Sequence, residues 1–129
     1  MSNKISIVCV SGTREKLQMA AMFASVAAAT GGQVSVFLSM NALPHFVKGH
    51  VANAPSEGEF GDLLRQQGVP PFKQLFQQAA ELGDASLLPC SMALDLMKVT
   101  KDDLDPELGP PTGLTRFLGD AEGGQLLTF

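Results

Sequence analysis

The chain has 129 residues, of which 45% are hydrophobic, and this is enough to bury the core of one domain without disulfides. A formal net charge of −4, nine scattered Lys and Arg residues and the absence of Tyr and Trp argue against nucleic acid as a partner. The apolar runs are shorter than the roughly 20 residues of a membrane-spanning helix, and the first residues lack a signal-peptide pattern. We therefore expect a cytoplasmic protein without a transmembrane segment.

The first third of the sequence predicts two buried strands with a helix between them. Residues 4–10, KISIVCV, and 33–39, QVSVFLS, are nearly continuous β-rich apolar runs, as in strands covered on both faces. Residues 14–30 have helical periodicity, and Ser11 or Thr13 suits the N-cap of this helix. One helix face carries the large apolar side chains, Met19, Met22, Phe23 and Val26. The other faces are mostly alanine, which predicts a helix covered on more than one side.

The middle of the chain is less regular. Residues 40–49, MNALPHFVKG, are a short apolar segment that follows the second strand. Residues 50–69 combine Gly, Pro, Ser and Asn with few large apolar groups, and we interpret most of them as a long loop or insertion. Loops of this length are often functional or mobile.

The second half of the chain continues the alternation of helix and strand. The predicted elements are a helix from Pro70 and Pro71 to Gly83, a strand at 85–89, a helix at 90–97, a turn-rich connection at 101–113, a helix at 114–124 and a strand at 125–129. Regular alternation of this kind is typical of a parallel sheet with helices on both faces. We predict one domain over residues 1–129, an α/β fold with a mostly parallel sheet of four or five strands.

Cys90 follows the third predicted strand and begins the next helix. Ligands of open parallel sheets bind beyond the carboxyl ends of the strands, so Cys90 is expected at the functional edge. Unpaired backbone N–H groups at a helix N-terminus favour a negative charge, and a thiolate is a nucleophile toward sulfur. The alternative is that Cys90 packs in the core as a small apolar residue. Cys9 lies in the middle of a strand, which favours core packing.

Five other residues follow the strands that end at the same edge. Ser11, Thr13 and Arg14 come after the first strand, and Asn41 and His45 come after the second. All five are candidates for binding a substrate. The simpler interpretation of Arg14 is a solvated charge at the helix end, and the simpler interpretation of His45 is a half-exposed surface histidine. The spacing of the histidines and cysteines matches no zinc motif, and no phosphate-binding or nucleotide-binding motif occurs, so we expect no metal and no cofactor.

The helix after Cys90 has an apolar pattern of its own. Met92, Leu96 and Val99 form one stripe, and Ala93 and Met97 form a second. Such a stripe is more typical of a buried helix face than of a cofactor pocket.

Four segments in this order resemble the DsrE/DsrF-like family, in particular its second-type DsrE or "peroxiredoxin-like" subgroup. They are SGTREKLQMAAMFASVAAATGGQVSVFLS, GVPPFKQLFQQAAELG, LPCSMALDLMKV and GLTRFLGDAEGGQLLTF. The resemblance implies a flavodoxin-like three-layer α/β/α fold, homo-oligomeric assembly and a sulfur-carrying role for Cys90. The chain departs from the family's usual pattern at Pro89, Ala93, Lys98 and the 50–69 segment. These differences bear on the choice of partner more than on the fold.

The resemblance favours a sulfur carrier or sulfurtransferase-like protein that holds sulfane sulfur as a persulfide on Cys90. Its partners are expected to be sulfur-donor and sulfur-acceptor proteins, such as small sulfur carriers and rhodaneses. A thiol peroxidase is the first alternative, although no second cysteine is placed to resolve a sulfenic acid. A non-catalytic module that binds a small ligand at the same edge is the second. Whether the protein acts as an enzyme is left open by the sequence.

Overall fold

A computed structural model describes residues 3–49 and 54–129, and within them strands and helices alternate along the chain. The strands are β1 (Lys4–Cys9), β2 (Gln33–Leu38), β3 (Ser86–Pro89) and β4 (Gln125–Thr128). The α-helices are α1 (Arg14–Ala29), α2 (Glu59–Leu63), α3 (Phe72–Gly83), α4 (Ser91–Met97) and α5 (Leu114–Ala121). Two 3₁₀ segments cover Met40–Phe46 and Lys101–Asp103. Each predicted strand is present and is one residue shorter than predicted.

The four strands of the described chain form a parallel sheet in the order β3-β2-β1-β4. β1 and β2 are interior strands, and in the middle of the sheet Ile7 pairs with Val36 on one side and with Leu127 on the other. Interior parallel strands are covered on both faces, which explains why their sequences are nearly continuous apolar runs.

Helices cover both faces of this sheet. The crossovers through α1 and α3 step in the same direction, from β1 to β2 and on to β3, and the right-handed rule puts both helices on one face. The return from β3 to β4 passes over the opposite face, where Phe117 of α5 packs against Phe37 of β2 at 5.1 Å between ring centroids. The predicted parallel α/β fold with helices on both faces is confirmed.

Helix α1 packs through its small residues. Leu17 and the alanines at positions 20, 21 and 24 are completely buried against the sheet and α3. The stripe of larger side chains faces outward, with exposed fractions of 50% for Met19, 44% for Met22, 38% for Phe23 and 63% for Val26. As predicted, the helix is covered on more than one side, by the sheet and by α3, but through its alanines rather than through its large side chains. Alanine permits a closer approach of helix to helix than methionine does, and that approach decides which face is buried.

Helix α3 begins and ends close to the predicted positions, but the prolines and the glycine at its ends have other roles than predicted. Pro71 is the N-cap residue, and Phe72 and Phe76 are the buried anchors of the helix. Asp84 takes the left-handed conformation after the last turn, with φ of 57°. Gly83 is needed for another reason: a Cβ on it would lie 2.4 Å from the Cβ of Ala28. Gly83 thus marks a point of close approach between α3 and α1.

The region predicted as a long loop contains regular structure. Residues 59–63 form the short helix α2, whose N-terminal side lies against the first turn of α1. Residues 50–53, including His50, lie outside the residues that the structure describes.

Helix α4 is only seven residues long, and the two apolar stripes predicted for it differ in burial: Ala93 and Met97 pack on the core, whereas Met92 and Leu96 do not. Ala93 and Leu94 are the buried residues, whereas Met92 is 51% exposed and Leu96 is 76% exposed. This short helix contacts the core mainly through Ala93 and Leu94. No helix among residues 3–49 and 54–129 has the length and hydropathy needed to cross a bilayer.

Candidate functional site

Cys90 lies at the junction of β3 and α4, level with the carboxyl ends of the sheet strands. It is the N-cap residue of α4, with φ of −69° and ψ of 121°. Its N–H donates to the carbonyl oxygen of Leu38 at 2.9 Å, and its own carbonyl accepts from the N–H of Leu94 at 3.0 Å. Both sides of the peptide are thus fixed, one by β2 and one by α4. The side chain is buried, with 6% of Cys90 exposed.

The outer backbone edge of β3, including Cys90, is paired with part of the turn-rich connection predicted at 101–113. Residues 109–112 run beside β3, and Thr112 forms a parallel bridge with Cys90. The N–H of Thr112 donates to the carbonyl of Pro89 at 2.9 Å, and the N–H of Ser91 donates to the carbonyl of Thr112 at 3.0 Å. Two successive prolines restrict the chain to extended backbone, and this was the available signal for an edge-covering segment.

Cys9 lies on the opposite face of the sheet from Cys90. Cys9 pairs with Leu38, and Leu38 with Pro89, so these three residues share one face and Cys90, one residue further along, belongs to the other. Cys9 is completely buried, and that burial raises the pKa of its thiol to about 12. Neither cysteine is in a disulfide. Cys9 is therefore a core residue, as its position in the strand indicated, and its position gives no support to a resolving role.

The loop between β1 and α1 is held by residues 54–63. Thr13 occupies the N-cap position of α1, but its hydroxyl donates to the carboxylate of Glu57 at 2.7 Å rather than capping the helix. The hydroxyl of Ser11 lies 3.0 Å from that of Thr13. The backbone N–H of Arg14 donates to the carbonyl of Pro55 at 2.8 Å.

Arg14 is buried, with 9% exposure, so its interpretation as a solvated helix-end charge was wrong. Burial is the main reason that its pKa is lowered, the positive charge of Arg65 adds to this effect, and Glu15 and Asp62 oppose it. The charges of Arg65, Glu15 and Asp62 therefore all act on Arg14 at the start of α1.

Glu15 is a residue of this region that sequence analysis missed. Its carboxylate accepts hydrogen bonds from the backbone N–H groups of Glu57, at 2.8 Å, Gly58, at 2.8 Å, and Gly61, at 3.2 Å. The bond from Glu57 is the largest cause of a lowered pKa of Glu15, and the other two act in the same direction. The partners lie more than 40 positions away, in the segment expected to be loop, so the sequence carried no local signal for this contact.

His45 and Asn41 lie beside the same loop. The Nε2 atom of His45 donates to the carbonyl oxygen of Gly12 at 3.2 Å, and its ring meets that of Phe72 edge-on at 5.7 Å between centroids. His45 is buried, with 8% exposure, so the expectation of a half-exposed surface histidine was wrong. Asn41 is exposed, and its backbone N–H donates to the carbonyl of Val10 at 3.1 Å.

The predicted site residues therefore fall into two groups. Five of them, Ser11, Thr13, Arg14, Asn41 and His45, surround the loop after β1. Cys90 ends β3, and β2 lies between β3 and β1. At about 5 Å per strand, the two groups are about 10 Å apart along the edge of the sheet. Within residues 3–49 and 54–129, no three His, Cys, Asp or Glu side chains are grouped so that they could hold a metal ion.

Comparison with known proteins identifies the family of the chain. Two solved structures share its fold: the ychN protein of E. coli, with a TM-score of 0.70 at 14% identity over 100% of both chains, and MTH1491 of Methanobacterium thermoautotrophicum, a protein of unknown function. The latter has a TM-score of 0.71 at 10% identity and covers 98% of this chain and 99% of its own. No curated protein matches the sequence significantly. The family model described as DsrE/DsrF/DrsH-like matches residues 59–129, which is more than half of the chain and includes Cys90. The chain belongs to the DsrE/DsrF/DrsH-like family.

Proposed function

We propose that this protein is a sulfur carrier that holds sulfane sulfur as a persulfide on Cys90 and passes it to an acceptor thiol. The observation that carries the proposal is the position of Cys90, at the carboxyl edge of a parallel sheet and at the N-cap of α4, inside the region that matches the family. Open parallel sheets present their ligands at this edge.

The transfer is a pair of thiol–persulfide exchanges. The Cys90 thiolate attacks the outer sulfur of a donor persulfide, the donor S–S bond breaks, and the donor leaves as a thiolate. The outer sulfur keeps its proton and becomes the terminal atom of Cys90–S–SH. An acceptor thiolate then attacks that terminal sulfur, and the Cys90 thiolate is the leaving group. The acceptor gains the sulfur, and Cys90 returns to its starting state.

The backbone around Cys90 limits which groups stabilise the sulfur anion. The N–H groups of Cys90 and Ser91 already donate to the carbonyls of Leu38 and Thr112. Met92 and Ala93 occupy the N2 and N3 positions of α4, whose N–H groups are the usual donors to an N-cap side chain. We assign the stabilisation of the thiolate and of the persulfide to these two amides.

Intact-mass spectrometry after incubation with inorganic polysulfide tests the proposal. The wild-type protein is expected to gain about 32 Da, one sulfur atom, in a form that dithiothreitol removes. Cys9→Ala serves as the matched control and is expected to gain the same mass, because Cys9 is buried on the other face. Cys90→Ser is expected to gain none. A Cys90→Ser protein that still gains about 32 Da would contradict the proposal, because the sulfur would then be on Cys9, the other cysteine of the sequence.

The acceptor and donor are proposed to be thiol proteins of the cytoplasm, such as small sulfur carriers and rhodaneses. The persulfide-loaded protein is mixed with a rhodanese, and both masses are followed over time. Loss of one sulfur from Cys90 with gain of one on the rhodanese is expected. Many acceptor turnovers per Cys90 in the presence of excess polysulfide would make the protein a sulfurtransferase, whereas a single transfer would make it a stoichiometric carrier.

We further propose that the protein is a homo-oligomer that uses the exposed face of α1. Met19, Met22, Phe23 and Val26 line a groove of about 310 Å³ on this face, and the ring of Phe23 lies 6.3 Å from that of Phe129 beyond the edge strand β4. Contiguous exposed apolar surface of this kind is typical of an interface. Light scattering after gel filtration is expected to give a smaller mass for Met22→Glu/Val26→Glu than for wild type. Leu82→Glu, at a position that is 85% exposed on α3, is the control and is expected to leave the mass unchanged.

A further inference from the structure

The segment that covers β3 next to Cys90, residues 109–112, is attached differently from the strands of the sheet. We call it the edge segment. Three backbone hydrogen bonds join it to the β3–α4 unit: Gly109 N–H to the Leu87 carbonyl at 2.7 Å, Thr112 N–H to the Pro89 carbonyl at 2.9 Å and Ser91 N–H to the Thr112 carbonyl at 3.0 Å. Pro110 and Pro111 have no N–H to donate, so the segment cannot complete a regular ladder.

The edge segment lies between two buried anchors. Leu108 precedes it and is 2% exposed, and Phe117 of α5 follows it and is also 2% exposed. Between these anchors, Pro110, Pro111 and Gly113 are exposed, and Thr112 alone is buried, with 7% exposure. The edge segment thus has a buried anchor on each side, while its own residues, except Thr112, are at least partly exposed.

Sulfur transfer sets a steric requirement that the observed arrangement does not meet. A donor persulfide must bring its outer sulfur into contact with Sγ of Cys90, and only 6% of Cys90 is exposed. On its inner side Cys90 is bonded to Leu38 of β2, an interior strand, and displacement there would break the sheet. On its outer side lies the edge segment. By register, the Cys90 side chain points to the face of the sheet that carries α5, and the side chain of the paired Thr112, also buried, lies beside it on that face.

We propose that the edge segment is a gate over Cys90 and that Thr112 is the positioning residue that holds it closed. The proposal rests on the sulfur-carrier function proposed above. The hydroxyl of Thr112 donates to the carbonyl of Pro110 at 3.0 Å and closes the turn of residues 110–112. That turn presents the N–H of Thr112 to Pro89 and the carbonyl of Thr112 to Ser91, the residues on either side of Cys90. Release of the turn opens the outer side of the thiol.

The alkylation rate of Cys90 tests the gate without any sulfur chemistry. Thr112→Val keeps the shape of the side chain and loses the hydroxyl, whereas Thr112→Ser keeps the hydroxyl. With iodoacetamide and intact-mass readout, Thr112→Val is expected to react about fivefold faster than wild type, the factor that one ordinary hydrogen bond contributes to an equilibrium. Thr112→Ser is expected to react at the wild-type rate. Equal rates for wild type and Thr112→Val, or equal acceleration in both variants, would overturn the proposal.

Cys9 provides an internal control in the same spectra. It is completely buried on the other face, so opening of the edge segment leaves it unmodified. Acceleration at Cys90 together with modification of Cys9 would mean general unfolding and would also overturn the gate. Hydrogen exchange of the wild-type protein gives a test that needs no variant. The amides of Gly109 and Thr112 are expected to exchange at least tenfold faster than that of Cys90, and equal protection of all three would contradict a separate opening motion.

The two proposals fail in different ways. If polysulfide leaves no persulfide on Cys90 while Thr112→Val still accelerates alkylation, the sulfur-carrier function is wrong and the gate remains. If the persulfide forms at the same rate in wild type, Thr112→Val and Thr112→Ser, the sulfur-carrier function remains and the gate is wrong.

Discussion

At the scale of single residues, the two cysteines differ because of their positions in one sheet. Cys9 lies in an interior strand with no exposed surface, and Cys90 lies at the strand end where a helix begins. The order of strands and helices along the sequence was enough to predict this difference. The sequence could not reveal that Thr112 pairs with Cys90. That pairing depends on the path of an irregular connection, which no local sequence pattern predicts.

The raised pKa of Cys9 predicts a loss of stability at alkaline pH. An unfolded cysteine ionises near pH 8.5, whereas Cys9 in the folded protein keeps its proton up to about pH 12. Between these values the unfolded state binds fewer protons, so the free energy of unfolding falls as the pH rises, by about 1 kcal/mol from this residue at pH 9.5. Urea unfolding at pH 7.5 and 9.5 measures the effect. Cys9→Ala is expected to lose less stability than wild type over this interval, and identical losses would contradict the assignment.

The lowered pKa of Glu15 predicts the opposite dependence, in acid. The carboxylate is stabilised by N–H groups of residues 57–61, led by that of Glu57, so its contribution is present above the unfolded pKa of about 4.3 and is lost as the pH falls through the folded value. Hydrogen exchange of the Glu57, Gly58 and Gly61 amides is expected to accelerate in Glu15→Gln at pH 7. Glu59→Gln, in α2 itself, is the control and is expected to leave these amides protected. Unchanged exchange in Glu15→Gln would show that other contacts hold residues 54–63.

At the scale of helices and strands, the sequence predicted which elements exist better than which faces they bury. Apolar periodicity locates α1 correctly, but it favours the methionine face because those side chains are larger and more apolar than alanine. The buried face is instead the one that lets α1 approach α3 closely. The same limitation affected α4, where Met92 and Leu96 are exposed. Apolar periodicity shows that a helix is amphipathic, but the packing distance between neighbouring elements decides which of its faces is buried.

The close approach of α1 and α3 gives a prediction with an unusual sign. Glycine to alanine within a helix ordinarily stabilises a protein by about 0.5–1 kcal/mol. Gly83→Ala is expected to destabilise it by about 1–3 kcal/mol, because the new Cβ would lie 2.4 Å from that of Ala28. Urea unfolding measures the change. Gly119→Ala in α5, where a new Cβ meets no atom within 4 Å, is the control and is expected to stabilise.

A second substitution identifies the cause of that destabilisation. Adding Ala28→Gly to Gly83→Ala removes the clash, so the double variant is expected to be more stable than the sum of the two single changes predicts. Simple additivity would mean that the two Cβ atoms do not compete for the same space.

At the scale of the whole molecule, both helical layers depend on the same four strands. Phe76 in α3 anchors one face and Phe117 in α5 the other, and each is essentially buried. The parallel α/β class could be predicted from the sequence because alternation of strand and helix leaves few topologies. The arrangement of residues 54–63 over α1 could not, since it depends on backbone contacts with Glu15 that no local pattern encodes.

Shared strands predict one cooperative unfolding transition for the residues that form these layers. Phe76→Ala and Phe117→Ala are each expected to lower the free energy of unfolding by about 3–5 kcal/mol and to leave a single transition. Far-UV circular dichroism reports the helices, and alkylation of Cys9 reports the buried sheet. Coincident curves from the two probes are expected in both variants. A Phe117→Ala protein in which Cys9 becomes reactive before the helices unfold would indicate two separable units.

The pairing of β1 with β4 has a consequence for the time course of folding. Ile5 lies opposite Gln125, so the contact between β1 and β4 closes a loop of about 120 residues. The contact between β1 and β2 closes a loop of only about 29 residues. Contacts of such separation slow the folding search. During synthesis, β1, β2 and β3 can assemble as they emerge, but one edge of β1 stays open until the ribosome has added β4. For that interval an apolar strand of the nascent chain is available to a chaperone, or to β1 of another incomplete copy.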